Sequence, residues 1–529
     1  MKNIKYLLFV ISVSLLSNLY SQQPGYLDES FGDNGIVVSD FGSSENYYME
    51  SSVIQPDGKI VAVGYQYSGN GEVGCMARYE PDGNLDSGFG TNGWETYNLT
   101  ADLEIFNDIA IQSDGKYVVV GVACNNGCDF IVCRINQDGT LDNSFGTSGF
   151  TVIDAEYNSI AGSIVIQPDG KIVIAGSTSN GSSDDYDAVI CRLNYDGTID
   201  NTFTGDGIVV QDLHGNSDDI VRGLAIHDSK ILICGMAFNG NSSDYDALAL
   251  AQFNTDGLLD IYFGINGISI YDDINQENTF VEPSTNLTIT QDDKILVSTH
   301  KTGIEGNDVV VLKFQANGYP DNSFGEYGMV LYDMINSTKA NSLIEQEDGK
   351  IVVAGYNYYS GASKFCVLRF QSNGDIDESF GEYGGVAMFD ISNGYDVATS
   401  ISIQNDSKIL VSGYSFDTKA NFTLLRLYSG LETGMDETVR NNEVISVFPN
   451  PSNSNIIYVK YSLTNSERIH ISLLSIDGNI TSEIYSGIKK AGEHTDRFEL
   501  QEYLPAGSYI LQVSTEESTI FSGKILVGK

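Results

Sequence analysis

Short apolar runs, each closed by a polar turn signature, succeed one another along the first 430 residues. In the first unit, Gly35 to Phe41 reads as a strand. Ser51 to Gln55 reads as a second and stops at Pro56-Asp57-Gly58. Lys59 to Tyr65, rich in Val and Ile, is a third. Cys75 to Tyr79 is a fourth and stops at Pro81-Asp82-Gly83. Asp-Gly supplies hairpin and type I turn geometry, and branched residues favour the pleated strand between turns. No stretch keeps a helical period. The pattern predicts four short strands per unit.

The units are counted by a phrase, Leu-Asp-x-Ser-Phe-Gly-x-x-Gly, that begins at Leu27, Leu85, Leu141, Ile199, Leu259, Pro320 and Ile376. The spacings are 58, 56, 58, 60, 61 and 56 residues. A fixed period of this size marks one supersecondary unit repeated in a stack or ring. Four strands per unit, seven times over, predict an all-β fold, a seven-bladed β-propeller over residues 22–430. The last unit ends at Phe422 to Leu427 with no further strand. The opening strand, residues 35–41, is therefore expected to pair with residues 421–428 and close the ring, which removes two exposed edges.

Leu27-Asp-Glu-Ser-Phe-Gly, Ile54-Gln-Pro-Asp-Gly-Lys-Ile-Val and Cys133-Arg-Ile-Asn-Gln-Asp-Gly-Thr-Leu-Asp resemble the delta-60 repeat family. The resemblance covers about residues 25–430 and implies a propeller, with no single chemistry attached. Blades four and five depart most. Thr204-Gly205 stands for Phe-Gly in a shifted reading, Ile261-Tyr262 takes the Ser position, and Asn275 to Asn286 enlarges a loop.

The pattern changes after a polar stretch at 431–446. Val447-Phe-Pro-Asn-Pro-Ser452, Ile471-Ser-Leu-Leu-Ser-Ile-Asp-Gly478, Leu504-Pro-Ala-Gly-Ser-Tyr-Ile-Leu-Gln-Val513 and Lys524-Ile-Leu-Val-Gly-Lys529 predict a small immunoglobulin-like β-sandwich over 447–529. In this order they resemble the type A C-terminal sorting domain of the type IX secretion system of Bacteroidetes. That resemblance implies the secretion machinery as a partner, and release or surface attachment of the cargo. At the other end, Lys2 and Lys5 precede an apolar stretch from Tyr6 to Leu16, too short to span a bilayer. Residues 1–21 read as a signal peptide cut between Ser21 and Gln22. Both ends predict a secreted or outer-surface protein that passes through the periplasm, with no transmembrane segment in the mature chain.

Charge narrows the partners. Lys and Arg number 28 against 71 Asp and Glu, a net −43, which argues against nucleic acid and anionic membranes. Of seven cysteines, Cys75, Cys133, Cys191, Cys234 and Cys366 fall in apolar runs and act as small hydrophobes. Cys124 and Cys128 flank a tight loop and are candidates for a local disulfide. Zinc-ligand spacing is absent, and no resident cofactor is called for.

Candidate chemistry is sparse. The Asp138, Asp196 and Asp256 turns space oxygen donors in a way compatible with calcium, but they lack the closing bidentate Glu of a calcium loop and also read as plain hairpin turns. An Arg recurs in the fourth run, at Arg78, Arg134, Arg192, Arg369 and Arg426, and the phrase Asp recurs in every unit. Buried Arg–carboxylate pairs in the scaffold are the expected use. His227 replaces a turn Gln, and Trp94 lies in an outer strand as packing. Function is expected where the units differ. One candidate region is the channel, lined by Ser51, Asp108, Ser163, Gly223, Asn286, Ser342 and Ser400, with Glu50, Asn107, Gly162, Arg222, Thr285, Asn341 and Thr399 one residue earlier. The other is an acidic rim holding Asp184, Asp185, Asp187, Asp244 and Asp246. Asp108, Arg222 and the rim aspartates are the candidate ligand-binding residues, and no catalytic residue is assigned. The expected function is non-enzymatic binding of a glycan or a protein through rim loops. The alternative is a polysaccharide hydrolase or lyase at the channel mouth, with Glu50 and Asp108 the only candidate carboxylate pair.

Overall fold

A computed structural model describes residues 23–431 and 446–527, apart from 43, 70, 101–102, 125–126, 156–157, 180–185, 216–217, 238–246, 272–285, 303–305, 335, 449–455, 464–465, 475–479, 500–506 and 516–518. The predicted signal peptide, the enlarged loop at 275–285 and rim residues Asp184, Asp185, Asp244 and Asp246 lie outside the described residues. The described residues form strands and turns with no α-helix, in two compact units that divide after Leu431.

The first unit is the predicted propeller. The closing strand β1 (Ile36–Ser39) is followed by β2 (Asn46–Ile54), β3 (Ile60–Ser68), β4 (Gly71–Tyr79) and β5 (Trp94–Tyr97), which pair in that order as blade one. Four further antiparallel sheets of four strands repeat the arrangement, and the four strands of blade six repeat it within a sheet joined to blade seven by one parallel bridge, Ser363 to Tyr395. Blade seven has three strands of its own, Tyr395–Ile403, Ile409–Phe416 and Ala420–Leu427, and takes β1 as its fourth. Ile36, Val37, Val38 and Ser39 stand opposite Leu425, Leu424, Thr423 and Phe422. The core confirms the closure, since Phe31, Tyr47 and Ile60 from the start of the ring pack with Leu410, Phe422 and Leu424 from its end. Trp94 stacks on Phe41 at 4.9 Å in this cluster.

The recurrent phrase stitches blade to blade. Its Asp accepts from the Arg of the third strand and from the turn Lys, as where Arg134 Nε and Lys116 Nζ each lie 2.7 Å from Asp142 Oδ2. The same Arg lies over the phrase Phe, 4.8 Å from the Phe145 centroid, and donates to Tyr195 O of the next blade. The phrase Gly then donates its N–H to the next blade's turn, Gly146 N to Asp196 O at 2.8 Å. Equivalent arginine links run from Arg78 to Gln137 O, Arg192 to Thr255 O, Arg369 to Ser429 O and Arg426 to Pro81 O. The shifted reading of the fourth phrase, which falls in blade three, is corrected: Phe203 is fully buried in the phenylalanine slot, and Thr204 takes the glycine slot at φ 56° and donates its N–H to Asp256 O. Blade four lacks the arginine. There Gln252 Nε2 lies 3.2 Å from His227 Nδ1, and His227 Nε2 lies 3.0 Å from Asp293 in the next blade. The turn aspartates are engaged locally, Asp138 and Asp196 each accepting the N–H and hydroxyl of a following Thr. Cys124 and Cys128 form a disulfide. The other five cysteines form no disulfide and are buried.

The second unit has seven strands in two sheets, of three and four strands. Ile457, Val459, Ile469, Ile471, Leu473, Leu511 and Val513 form its core.

Candidate binding site at the channel

Strand direction divides the ring into two faces. The Asp-Gly turns and phrase loops lie on one face; the loops joining second to third strands, and blade to blade, lie on the other. The first is the stitched scaffold face. The second, the loop face, carries Asp187 of the predicted acidic rim.

Among the described residues, six of the seven inner strands are interrupted by a β-bulge; the short inner strand of blade five, Asn286–Ile289, pairs without a shift. The register shifts fall between Met49 and Ser51, Phe106 and Asp108, Ala161 and Ser163, Val221 and Gly223, Ala340 and Ser342, and Ala398 and Ser400. The extra residues are Glu50, Asn107, Gly162, Arg222, Asn341 and Thr399. A bulge re-aims the extra side chain, so this ring, one residue before Ser51 and Asp108, carries the variable chemistry. A glycine lies opposite the bulge in six blades. A Cβ at Gly64 or Gly121 would stand 1.9 Å from the bulged strand's carbonyl oxygen, Tyr48 O or Ile105 O. Only glycine lets the backbones approach so closely.

Most ring positions serve the scaffold. Asn107 and Asn341 each donate at 2.7 Å to the next blade, to Ala161 O and Ala398 O. Asp108 ties three blades together by accepting from Ser51 Oγ, Ser163 Oγ, Ile164 N and Ile109 N. Burial pushes its carboxyl up despite these four donors. Glu50 and Arg222 differ, since neither has a hydrogen bond or an ion pair within 4.0 Å among the described residues. They sit in blades one and four and feel each other's charge. Burial pushes Glu50 up to about 7 against the pull of Arg222, and burial lowers the Arg222 guanidinium against the pull of Glu50.

Beside Glu50 runs a bank of tyrosines contributed by blades six, seven and one. Tyr48 stacks on Tyr65 at 5.1 Å and meets Tyr414 edge-on at 5.0 Å. Burial first, and then the Glu50 charge, raise both Tyr65 and Tyr414. Toward the rim, Tyr358 and Tyr395 stack almost parallel, 4° apart at 6.4 Å. Tyr67, Tyr358, Tyr359 and Tyr395 are 44, 40, 68 and 44% exposed, so their rings reach solvent. Sequence reasoning missed this bank. Its signal was the residue after the second-strand glycine, Tyr65, Tyr356 and Tyr414, against Val122, Ser177 and Met236 elsewhere. Of the predicted rim aspartates, Asp187 is described; its carboxylate lies within 4.8 Å of those of Asp212 and Asp219. On the scaffold face a cavity of about 570 Å³ opens against the inner strands of blades one to three, lined by Val53, Ile109, Ile111 and Ile164.

A repeat propeller followed by a sorting sandwich defines the class: an exported β-propeller. The comparisons make it specific. A domain of unknown function (DUF5122) described as a β-propeller matches residues 55–89, 112–145, 167–203 and 346–380. A secretion system C-terminal sorting domain matches residues 446–528. The tail directs export by the type IX system to the cell surface or beyond. No helix among the described residues is long and apolar enough to cross a membrane. No curated protein matches the chain. Among solved structures, the polysaccharide lyase Uly1 is 9% identical, with TM-score 0.44, over 72% of this chain and 90% of its own. An ulvan lyase bound to a GlcA–Rha3S saccharide is 9% identical, with TM-score 0.39, over 77% and 95%. Sqt1 from Chaetomium thermophilum is 10% identical, with TM-score 0.38, over 73% and 97%.

Proposed function

We propose that this chain, cut after Ser21 and exported by its tail, is a non-enzymatic glycan-binding propeller that takes its ligand on the loop face. The observation that carries this reading is the tyrosine bank of blades six, seven and one. Rings held in stacks and half open to solvent present flat apolar faces with a hydroxyl at the edge, at low entropic cost. Sugar rings offer the complementary apolar C–H face and polar rim. The carboxylates of Asp187, Asp212 and Asp219, on the blades across the same face, offer hydrogen-bond acceptors.

The catalytic alternative has one supporting observation, the carboxyl of Glu50 raised to about 7. Its weakness is the partner. Glycoside hydrolysis uses two carboxyl groups facing one bond, and Asp108 has both oxygens engaged by the scaffold. A glycan array probed with the mature chain tests the proposal. Retention of a defined set of saccharides, recovered intact, supports it. Saccharides released as shortened or unsaturated products would move the protein to the hydrolase or lyase reading.

A further inference from the structure

Six arginines are described in the propeller, and five are engaged in the scaffold. Arg78, Arg134, Arg192, Arg369 and Arg426 each pair with a phrase aspartate, reach a carbonyl of the next blade and cover a phenylalanine ring. Arg222 does none of this. It stands on the bulge of the blade-four inner strand, with no hydrogen bond or close ion pair among the described residues. The neighbouring bulge is Gly162, where a Cβ would lie 2.6 Å from Val221 O and 3.1 Å from the Arg222 Cα. No side chain from that position covers the guanidinium. A half-buried guanidinium without a partner is costly, and its five donors in a planar fork fit an oxyanion.

Among the described residues, Glu50 is the one carboxylate acting on Arg222, and it does not complete the pair. It lies more than 4.0 Å away, and burial holds its proton until about pH 7. Tyr65 and Tyr414 are the other groups that feel the Glu50 charge, and both are raised. In a chain of net charge −43, Arg222 is thus a cation left without a close counter-charge among the described residues.

We propose that Arg222 is the receptor for the carboxylate of an acidic sugar, with Glu50 beside it accepting or donating to a sugar hydroxyl. This rests on the glycan reading and adds to it that the bound residue is a uronate. The guanidinium grips the carboxylate in a two-point contact, and no bond is made or broken.

The test uses the mature full chain, with D-glucuronate, D-glucose and acetate as probes and saturation-transfer NMR and calorimetry as readouts. Glucuronate is expected to bind about tenfold more tightly than glucose, a typical worth for one charge-assisted pair. Acetate displaces it. Arg222→Gln removes the preference, while Arg222→Lys, which keeps the charge, retains part of it and shows that the ring still folds. Binding tightens from pH 8 to pH 6 as Glu50 takes up its proton, and Glu50→Gln flattens that dependence. Glucose binding as tightly as glucuronate, or a preference that survives Arg222→Gln, overturns the inference and leaves the tyrosine reading standing. Acetate and glucuronate binding through Arg222 while glucose is ignored even by the tyrosines supports the anion site and counts against the rim stacking.

Discussion

Asp28 shows how one residue is asked to hold the ring shut. Arg426 Nε and Lys408 Nζ reach its Oδ2 at 2.7 and 2.9 Å, and the Tyr428 hydroxyl reaches Oδ1 at 3.2 Å. All three come from the last blade or its end. Burial works against the charge on Asp28, but Ser30, Lys408 and Arg426 outweigh it and hold the carboxyl at about 2. Asp28→Asn leaves buried cations without their counter-charge and should cost about 3–5 kcal/mol, read from urea unfolding. The same chemistry sets the acid limit. Asp86 and Asp321 are also held at about 2, against an ordinary 3.8. Their stabilisation is complete above pH 3.8 and is lost as pH falls toward 2, so unfolding in that window should be steep. Glu50 has the opposite sign. Its folded value of about 7 exceeds the ordinary 4.5, so the folded state keeps a proton that the unfolded chain has released. Stability falls as pH rises from 4.5 to 7. Glu50→Gln should raise stability by about 1–3 kcal/mol at pH 8 and by nothing below pH 4.

At the scale of the element, the repeat unit is legible because its signals are local. Asp-Gly turns, branched runs and the phrase each lie within a few residues, and they located the strands and the pairing of residues 36–39 with 422–425. The bulge was not legible. It inserts one residue without changing composition, and its only trace is the glycine opposite, as at Gly121 against Ile105 O. That is why the variable ring falls one residue before the positions expected to line the channel. Gly121→Ala drives a Cβ into backbone that cannot rotate away, and should cost about 2–4 kcal/mol. Removing β1 reopens the seam: a chain lacking residues 22–40 should lose cooperative unfolding and expose the 420–427 edge to proteolysis.

At the scale of the molecule, sequence and structure agree on a ring with a delivery tail, and differ on where the ring is most distinctive. The tyrosine bank joins blades six and seven to blade one, and Tyr414 and Tyr48 lie 366 positions apart in the chain. Only ring closure makes Tyr414 a neighbour of Tyr48. Arg222 and Glu50 were visible as odd charges in a polar ring; that neither has a close partner required the packing around them. The loop face of these three blades is proposed to hold a glycan. This is tested most directly by titrating an array-selected saccharide into the mature chain and into the Tyr358→Ala/Tyr395→Ala variant, with thermal melts to confirm that both are folded. Equal melting within a few degrees is expected, with at least a tenfold loss of affinity, about 1.4 kcal/mol or more. Unchanged affinity in a folded variant would contradict it.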